Sequence, residues 1–260
     1  MKGFFLLLVG VLLSGSLFAQ ANSYPGRAIY PMVNVYDTQK LNQSYHEVII
    51  VDVRSPFEFD TLHINKAVNI PLNSRQFGKL IKALHEDGKP IVFYCNGHRC
   101  FHSYKAVIKS RKVGINNVFS YDSGIFDWSK AYPEKATLLG ITPVNAGQII
   151  SKEGLQEHLL APAEFALKIN TKSVILDIRE PVQRGLLELY PYRQVNISLS
   201  EKAKLVKFLE KYKASDNTLF IYDEGGTQVR WLQYYLINIG VTNYFFMEGG
   251  VKKFFKDSKN

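Results

Sequence analysis

The sequence predicts an α/β fold with two domains, each built on a mainly parallel sheet flanked by helices. Two observations lead to this prediction. Short apolar runs rich in β-branched and aromatic residues alternate with segments of helical periodicity, the pattern of parallel strands joined by helices. The second half of the chain also repeats motifs of the first half in the same order, about 126 residues later.

The first half supplies the elements of one such sheet. His46–Arg54 is a continuous apolar run that ends in Asp52 and Arg54, as in a strand buried on both faces. Ser55-Pro56-Phe57-Glu58 then has the composition of a helix start. The other predicted strands are Ala67–Pro71, Ile91–Tyr94 and Asn117–Tyr121, and the other predicted helices are Asn73–His85, the segment from Phe101 onward, and Gly124–Ala131.

Several matched segments at a nearly constant spacing predict a tandem duplication. We expect a first domain at residues 22–143 and a second at 144–260. The matched pairs are Gly114 with Gly240, Gly124 with Gly250, Val51–Pro56 with Leu176–Pro181, and Tyr94-Cys95 with Tyr222-Asp223.

The loop between the strand Ile91–Tyr94 and the following helix carries the most reactive side chain. It begins with Cys95, ends with Cys100, and holds a glycine, a histidine and an arginine. A strand–loop–helix points backbone N–H groups and the positive end of the helix dipole at the loop. The same field stabilises a thiolate, so Cys95 is a candidate nucleophile. The alternative is a buried structural cysteine at a strand end.

Composition and charge limit the classes of partner. The formal net charge is +9, but the lysines are scattered among acidic residues, so we expect no nucleic-acid surface. Near the Cys95 loop, basic residues would attract small anions. The histidines lack a convincing ligand spacing with other donors, so we expect no metal and no other cofactor.

The N-terminus has the three parts of a secretory signal peptide. Lys2 precedes the apolar run Phe4–Leu13, and Ala19-Gln20-Ala21 fits a cleavage site. We expect cleavage near Ala21 and an exported, periplasmic or secreted protein that is not held in a membrane afterwards.

Three motifs together resemble the rhodanese (sulfurtransferase) family. They are D-x-R-x-x-x-E at Asp52, Arg54 and Glu58, H-I-x-x-A-x-N-I-P from His63 to Pro71, and Y-C-N-G-x-x-C-x-x-S-Y-K-A from Tyr94 to Ala106. The resemblance implies a rhodanese-like fold for each half. Two positions depart from the family, which usually has glycine where this chain has Leu62 and Lys66. We expect a local change of backbone there.

The resemblance also implies a function. Cys95 would take the outer sulfur of an anionic donor such as thiosulfate as a persulfide and pass it to a thiol, cyanide or protein acceptor. The loop would bind the substrate, with its amides around the persulfide and with Arg99 and His98 facing the donor; the loop residues are Asn96, Gly97, His98, Arg99 and Cys100. We expect Asp52, Arg54 and Glu58 to support this loop, with Arg54 in an ion pair with one of the two carboxylates.

The second domain has Asp223 where the first has Cys95. A carboxylate cannot carry a transferable sulfur, so we expect this domain to be inactive and to serve as a scaffold. A separate function that uses Asp223, Glu224 and Arg230 is the alternative.

Other functions for the Cys95 loop are less well matched. A cysteine phosphatase needs an arginine six positions after the cysteine to grip phosphate, and this chain has Phe101 there. A dithiol redox protein could use Cys95 and Cys100, and a sulfur carrier could hold a persulfide without turnover. Cys100 either lines the loop or forms a disulfide that removes the nucleophile.

Overall fold

The computed structural model describes residues 23–185, 187–213 and 215–259. The chain forms two compact units that divide between Ala146 and Gly147. The predicted signal peptide at residues 1–21 lies outside the described residues. Within those residues, none of the helices has the length and apolar character needed to cross a bilayer.

The first unit alternates strands with helices. Its strands are β1 (Val35–Tyr36), β2 (Ile49–Asp52), β3 (Leu62–Ile64), β4 (Val68–Asn69), β5 (Ile91–Tyr94), β6 (Val118–Tyr121) and β7 (Ala136–Leu138). Its α-helices are α1 (Pro25–Ile29), α2 (Thr38–Gln43), α3 (Pro56–Thr61), α4 (Phe77–Leu84), α5 (His102–Arg111) and α6 (Gly124–Ala131).

The main sheet of this unit is parallel, with the order β1-β6-β5-β2-β4. The central strand β5 is buried along its whole length. Asp52 of β2 and Tyr121 of β6 both lie beside Tyr94, the last residue of β5. The carboxyl ends of these three neighbouring strands therefore lie together at one end of the sheet, which is where ligands of parallel sheets bind.

The predicted α/β class is confirmed, with differences at the level of single elements. The strand Ile91–Tyr94 and the helix Gly124–Ala131 have the predicted bounds. The helix predicted from Asn73 begins only at Phe77, because the preceding residues form turns. The prediction also missed β1 and the antiparallel pair of β3 with β7. These strands have two or three residues, too few to show a periodic pattern.

The second unit has a parallel sheet of the same size. Its order, β8-β12-β11-β9-β10, places β11 between β9 and β12 as β5 lies between β2 and β6. The strands are β8 (Leu159–Leu160), β9 (Ser173–Asp177), β10 (Gln194–Asn196), β11 (Thr218–Tyr222) and β12 (Tyr244–Met247). The α-helices are α7 (Lys152–Gln156), α8 (Pro162–Lys168), α9 (Pro181–Arg184), α10 (Lys202–Glu210), α11 (Val229–Ile239) and α12 (Gly250–Asp257).

The backbone at Lys66 has a conformation that is uncommon for a residue with a side chain. Lys66 has φ +67°, the left-handed conformation that a glycine adopts without a side-chain clash. The chain thus has a left-handed backbone at this position, at a cost of roughly 1–2 kcal/mol for a residue with a Cβ. Leu62 is extended and begins β3. The expected local change of backbone relative to the family stays a prediction.

A buried ion pair stands where β2 ends. The Arg54 side chain donates to the Asp52 carboxylate, with Nη2 2.5 Å from Oδ2, and to the backbone oxygen of Leu62 at 2.6 Å. Burial alone would lower the pKa of Arg54, but the Asp52 carboxylate raises it above the ordinary arginine value. The guanidinium therefore stays charged, as the expected ion pair requires.

We predict that the substitution Asp52→Asn destabilises the first unit by about 3–5 kcal/mol, because it removes the carboxylate nearest to the buried Arg54 charge. A Trp231→Phe background leaves Trp128, which is fully buried in the first unit, as the single tryptophan. Its fluorescence during urea unfolding then reports on this unit. Glu47→Gln is the control, because it makes the same chemical change at an exposed position. Equal midpoints for the two variants would contradict the prediction.

Candidate active site

Cys95 lies directly after the central strand. Its side chain is 1% exposed and packs in the same apolar cluster as Phe93, Tyr104 and Val107. The loop that follows leads into α5, which begins at His102. The cysteine therefore lies between the end of a buried strand and the first turn of a ten-residue helix, the position predicted for a stabilised thiolate.

Two glycines allow this loop to pack against the segment before α6. Gly97 has φ +145°, and a Cβ on it would lie 2.9 Å from the backbone oxygen of Ser123. A Cβ on Gly124 would overlap the backbone of Gly97. The amide of Ile125 donates to the backbone oxygen of Cys95 at 3.1 Å. The path of the loop thus depends on close backbone contact, which side chains would prevent.

Cys95 and Cys100 form a disulfide, one of the two arrangements that the sequence left open. Their α-carbons are 6.3 Å apart, within the range that a disulfide spans. The loop turns back on itself here, since the amide of Cys100 donates to the backbone oxygen of Gly97 at 2.6 Å. The structure therefore represents the oxidised state of this loop.

A serine pair that the sequence analysis missed lies beside Cys95. Oγ of Ser103 is 3.9 Å from Sγ of Cys95 and accepts a hydrogen bond from Oγ of Ser120 at 2.9 Å. Both serines are fully buried. Because Ser120 supplies one hydrogen, the Ser103 hydroxyl can point its own toward the sulfur. It would then stabilise a thiolate at Cys95 once the disulfide is reduced.

Asn96 is bound by the supporting residues. Its Oδ1 accepts from Nη1 of Arg54 at 3.3 Å, and its Nδ2 donates to Oε1 of Glu58 at 3.2 Å. The other oxygen of Glu58 accepts from Ser55 in the capping box of α3. The predicted supporting residues thus meet at the start of the loop. The Asn96 side chain anchors the loop to β2 and α3, and the substrate contact expected of this residue stays a prediction.

His98 also has a partner that the sequence did not indicate. Its Nε2 lies 2.8 Å from Oδ2 of Asp127, and its ring stacks on Tyr24 with the centroids 4.2 Å apart. A protonated His98 would therefore have its charge matched by Asp127. The role of His98 toward an anionic donor stays a prediction, and Asp127 is the partner that it has in this structure.

Arg99 is the exposed residue of the described loop, whereas its neighbours Asn96, Gly97, His98 and Cys100 are half-buried. Its guanidinium is thus accessible to an anion from solvent.

As for metals, within residues 23–185, 187–213 and 215–259 no three His, Cys, Asp or Glu side chains are grouped so as to hold an ion.

In the corresponding loop of the second unit, backbone amides donate to the side chain of an aspartate. Asp223 follows β11 and accepts hydrogen bonds from the amides of Gly226, of Gln228 at 2.5 Å and of Val229 at 3.2 Å. Burial raises the pKa of the Asp223 carboxyl, and the three amides oppose this change. The amides that could hold an external anion are thus occupied by the chain itself.

The second unit also has a buried pair like that of Arg54 and Asp52. Nε of Arg179 is 3.0 Å from Oδ1 of Asp177, and Nη2 donates to the backbone oxygen of Leu187 at 2.8 Å. In both units, a buried arginine–aspartate pair therefore stabilises the end of the corresponding strand.

Comparison with known proteins identifies the first unit. Residues 36–131 match the family model described as a rhodanese-like domain. An uncharacterized protein of Synechocystis is 33% identical over 93 residues, which cover 36% of this chain and 49% of that protein. A tRNA uridine(34) hydroxylase of Erwinia tasmaniensis is 31% identical over 93 residues, which cover 34% of this chain and 26% of that protein. The chain thus spans half or less of the length of these relatives.

Solved structures also align with the chain. A Pseudomonas aeruginosa thiosulfate sulfurtransferase is 20% identical with a TM-score of 0.39, and the alignment covers 87% of this chain and 43% of that one. The BH2092 protein of Bacillus halodurans is 26% identical with a TM-score of 0.38, over 46% of this chain and 87% of that one. From the family match, the chain contains a rhodanese-like domain that spans residues 36–131 and includes the Cys95 loop.

Proposed function

We propose that the protein is a sulfurtransferase that carries sulfur as a persulfide on Cys95. The observation that carries this proposal is the position of Cys95 within the rhodanese-like domain, between the central strand and the N-terminus of α5. The Ser103 hydroxyl and the exposed Arg99 add a donor for the thiolate and a cation for an anionic substrate.

In the first half-reaction, the Cys95 thiolate attacks the outer sulfur of a donor such as thiosulfate. A bond forms between Sγ and that sulfur, and the bond to the sulfonate sulfur breaks, so that sulfite leaves with the electron pair. The disulfide must be reduced before this step, because it holds the nucleophile. The helix dipole and the Ser103 hydroxyl stabilise the charge on the Cys95 sulfur.

In the second half-reaction, a nucleophile removes the outer sulfur and restores the thiolate. Cyanide, a small thiol or a protein thiol has the required chemistry. Electrostatic stabilisation of the Cys95 thiolate by the loop matters in both half-reactions. The sulfur loses its negative charge in the first and regains it in the second.

We expect Cys95→Ser to abolish sulfur transfer from thiosulfate to cyanide, because a serine cannot form the persulfide. Thiocyanate production by reduced protein measures the reaction. Asp223→Asn changes the corresponding position of the second unit and should keep turnover within a few-fold of wild type. Substantial turnover in Cys95→Ser would refute the proposal, and an equal loss in Asp223→Asn would implicate the second unit in the reaction.

We expect Arg99→Ala to lower kcat/KM for thiosulfate by at least tenfold, as the loss of a charge-assisted hydrogen bond of about 1.5–3 kcal/mol implies. The step with cyanide should change little, since that acceptor is small and reacts after sulfite has left. Lys112→Ala removes the same charge at the opposite end of α5 and serves as the control. If the two variants have equal kcat/KM for thiosulfate, Arg99 does not contribute to substrate binding.

A dithiol redox protein is the second candidate, and the Cys95–Cys100 disulfide favours it. Such a protein would catalyse reduction of insulin by a small dithiol and would produce no thiocyanate from thiosulfate and cyanide. The two assays on one preparation therefore separate the candidates.

We also propose that the second unit is a rhodanese-like copy without a nucleophile. Its support is the same strand order, the same buried arginine–aspartate pair at a strand end, and a loop that closes on Asp223. Because a carboxylate stands in place of the thiol, the role of this unit is structural or one of binding.

Export is part of the same proposal. Lys2, the apolar run Phe4–Leu13 and the cleavage motif at Ala21 support it. Protein recovered from the periplasm or medium of a bacterial host should begin at Asn22, as read by N-terminal sequencing. Recovery of the uncleaved chain from the cytoplasm would count against export.

A further inference from the structure

The two cysteines of the loop lie within bonding reach of each other. Their sulfur atoms are joined, and Sγ of Cys95 also lies 3.2 Å from the backbone oxygen of Cys100. The backbone turn from Gly97 to Cys100 produces this approach. Cys100 therefore reaches the inner sulfur of Cys95, the atom that remains bonded to the protein in a persulfide.

The two sulfurs differ in access. Cys95 is buried in the core cluster, whereas Cys100 is half-buried and packs against the edge of that cluster. An external acceptor must enter the loop to reach a persulfide on Cys95. The Cys100 thiol is already there, and a nucleophile held in place reacts as if at a very high concentration.

We propose that Cys100 resolves the persulfide on Cys95 and releases sulfide, so that the protein acts as a sulfane-sulfur reductase supplied by a dithiol reductant. This inference rests on the proposed function, since it requires the persulfide. It goes beyond that function by naming an acceptor within the chain and a product, hydrosulfide.

The reaction balances without any further oxidant. The Cys100 thiolate attacks Sγ of the Cys95 persulfide, a bond forms between the two cysteine sulfurs, and the bond to the outer sulfur breaks. The electron pair leaves with that sulfur as hydrosulfide. The sulfane sulfur is reduced and the two thiols are oxidised, which yields the disulfide present in the structure.

The reductant must then restore both thiols. A thiolate of a small or protein dithiol attacks the more accessible sulfur, that of Cys100, and Cys95 leaves as a thiolate. The N-terminus of α5 and the Ser103 hydroxyl stabilise that leaving group, and a stabilised thiolate leaves faster. The second thiol of the reductant then releases Cys100. The cycle consumes one dithiol for each sulfide released.

A single turnover without free reductant tests this cycle. The full-length protein is reduced, freed of reductant under anaerobic conditions and mixed with thiosulfate, and then sulfide and remaining thiols are measured. Wild type should release one sulfide per chain and lose both thiols. Cys100→Ser should release sulfide on the order of a hundredfold more slowly. Its sulfur should remain on Cys95 and appear as thiocyanate when cyanide is added.

The outcomes separate this inference from the function on which it rests. If wild type holds a cyanide-releasable sulfur and releases no sulfide, the resolving role of Cys100 is wrong and the sulfurtransferase stands. Equal sulfide release from wild type and Cys100→Ser would also overturn that role. If neither protein yields sulfide or thiocyanate, both the inference and the proposed function are wrong.

Discussion

The buried contact between Arg54 and Asp52 determines where the reactive loop begins. Arg54 joins β2 to the start of β3 through Leu62 and reaches Asn96, the residue after Cys95. An arginine suits this position because its planar, permanently charged group donates to several acceptors at once. The start of the Cys95 loop therefore rests on an ion pair at the end of the neighbouring strand β2. In the second unit, Arg179 and Asp177 make the equivalent contact.

In each unit, the side chain of the residue directly after the central strand determines the chemistry of the loop, and this side chain differs between the two units. In the first unit it is a sulfur atom, close to a serine hydroxyl and to a second sulfur. In the second unit it is the Asp223 carboxylate, which takes up the loop amides itself. A thiolate at the first position has the chemistry to attack a sulfur donor and to leave again, whereas the carboxyl group at the second accepts from the amides of its own loop. The two loops thus follow corresponding strands and differ in the side chain at their first position.

Much of the fold and part of the site could be predicted from local sequence. The apolar run Ile91–Tyr94 and the residues that follow it predict a buried strand, a loop and a helix, and the ion pair of Arg54 was expected. Contacts between residues distant in sequence could not be predicted. Ser103 meets Ser120 on β6, and His98 meets Asp127 on α6. Short strands such as β3 owe their existence to a partner strand, so their own residues give no periodic signal.

The central claim is that Cys95 carries the transferred sulfur. Mass spectrometry of the reduced Cys100→Ser variant after anaerobic treatment with thiosulfate tests it most directly, because no second cysteine can then remove the sulfur. The peptide that contains Cys95 should gain the mass of one sulfur atom, and cyanide should remove that mass and yield thiocyanate. An unmodified peptide, with the Cys95 thiol reduced and the variant folded, would contradict the claim.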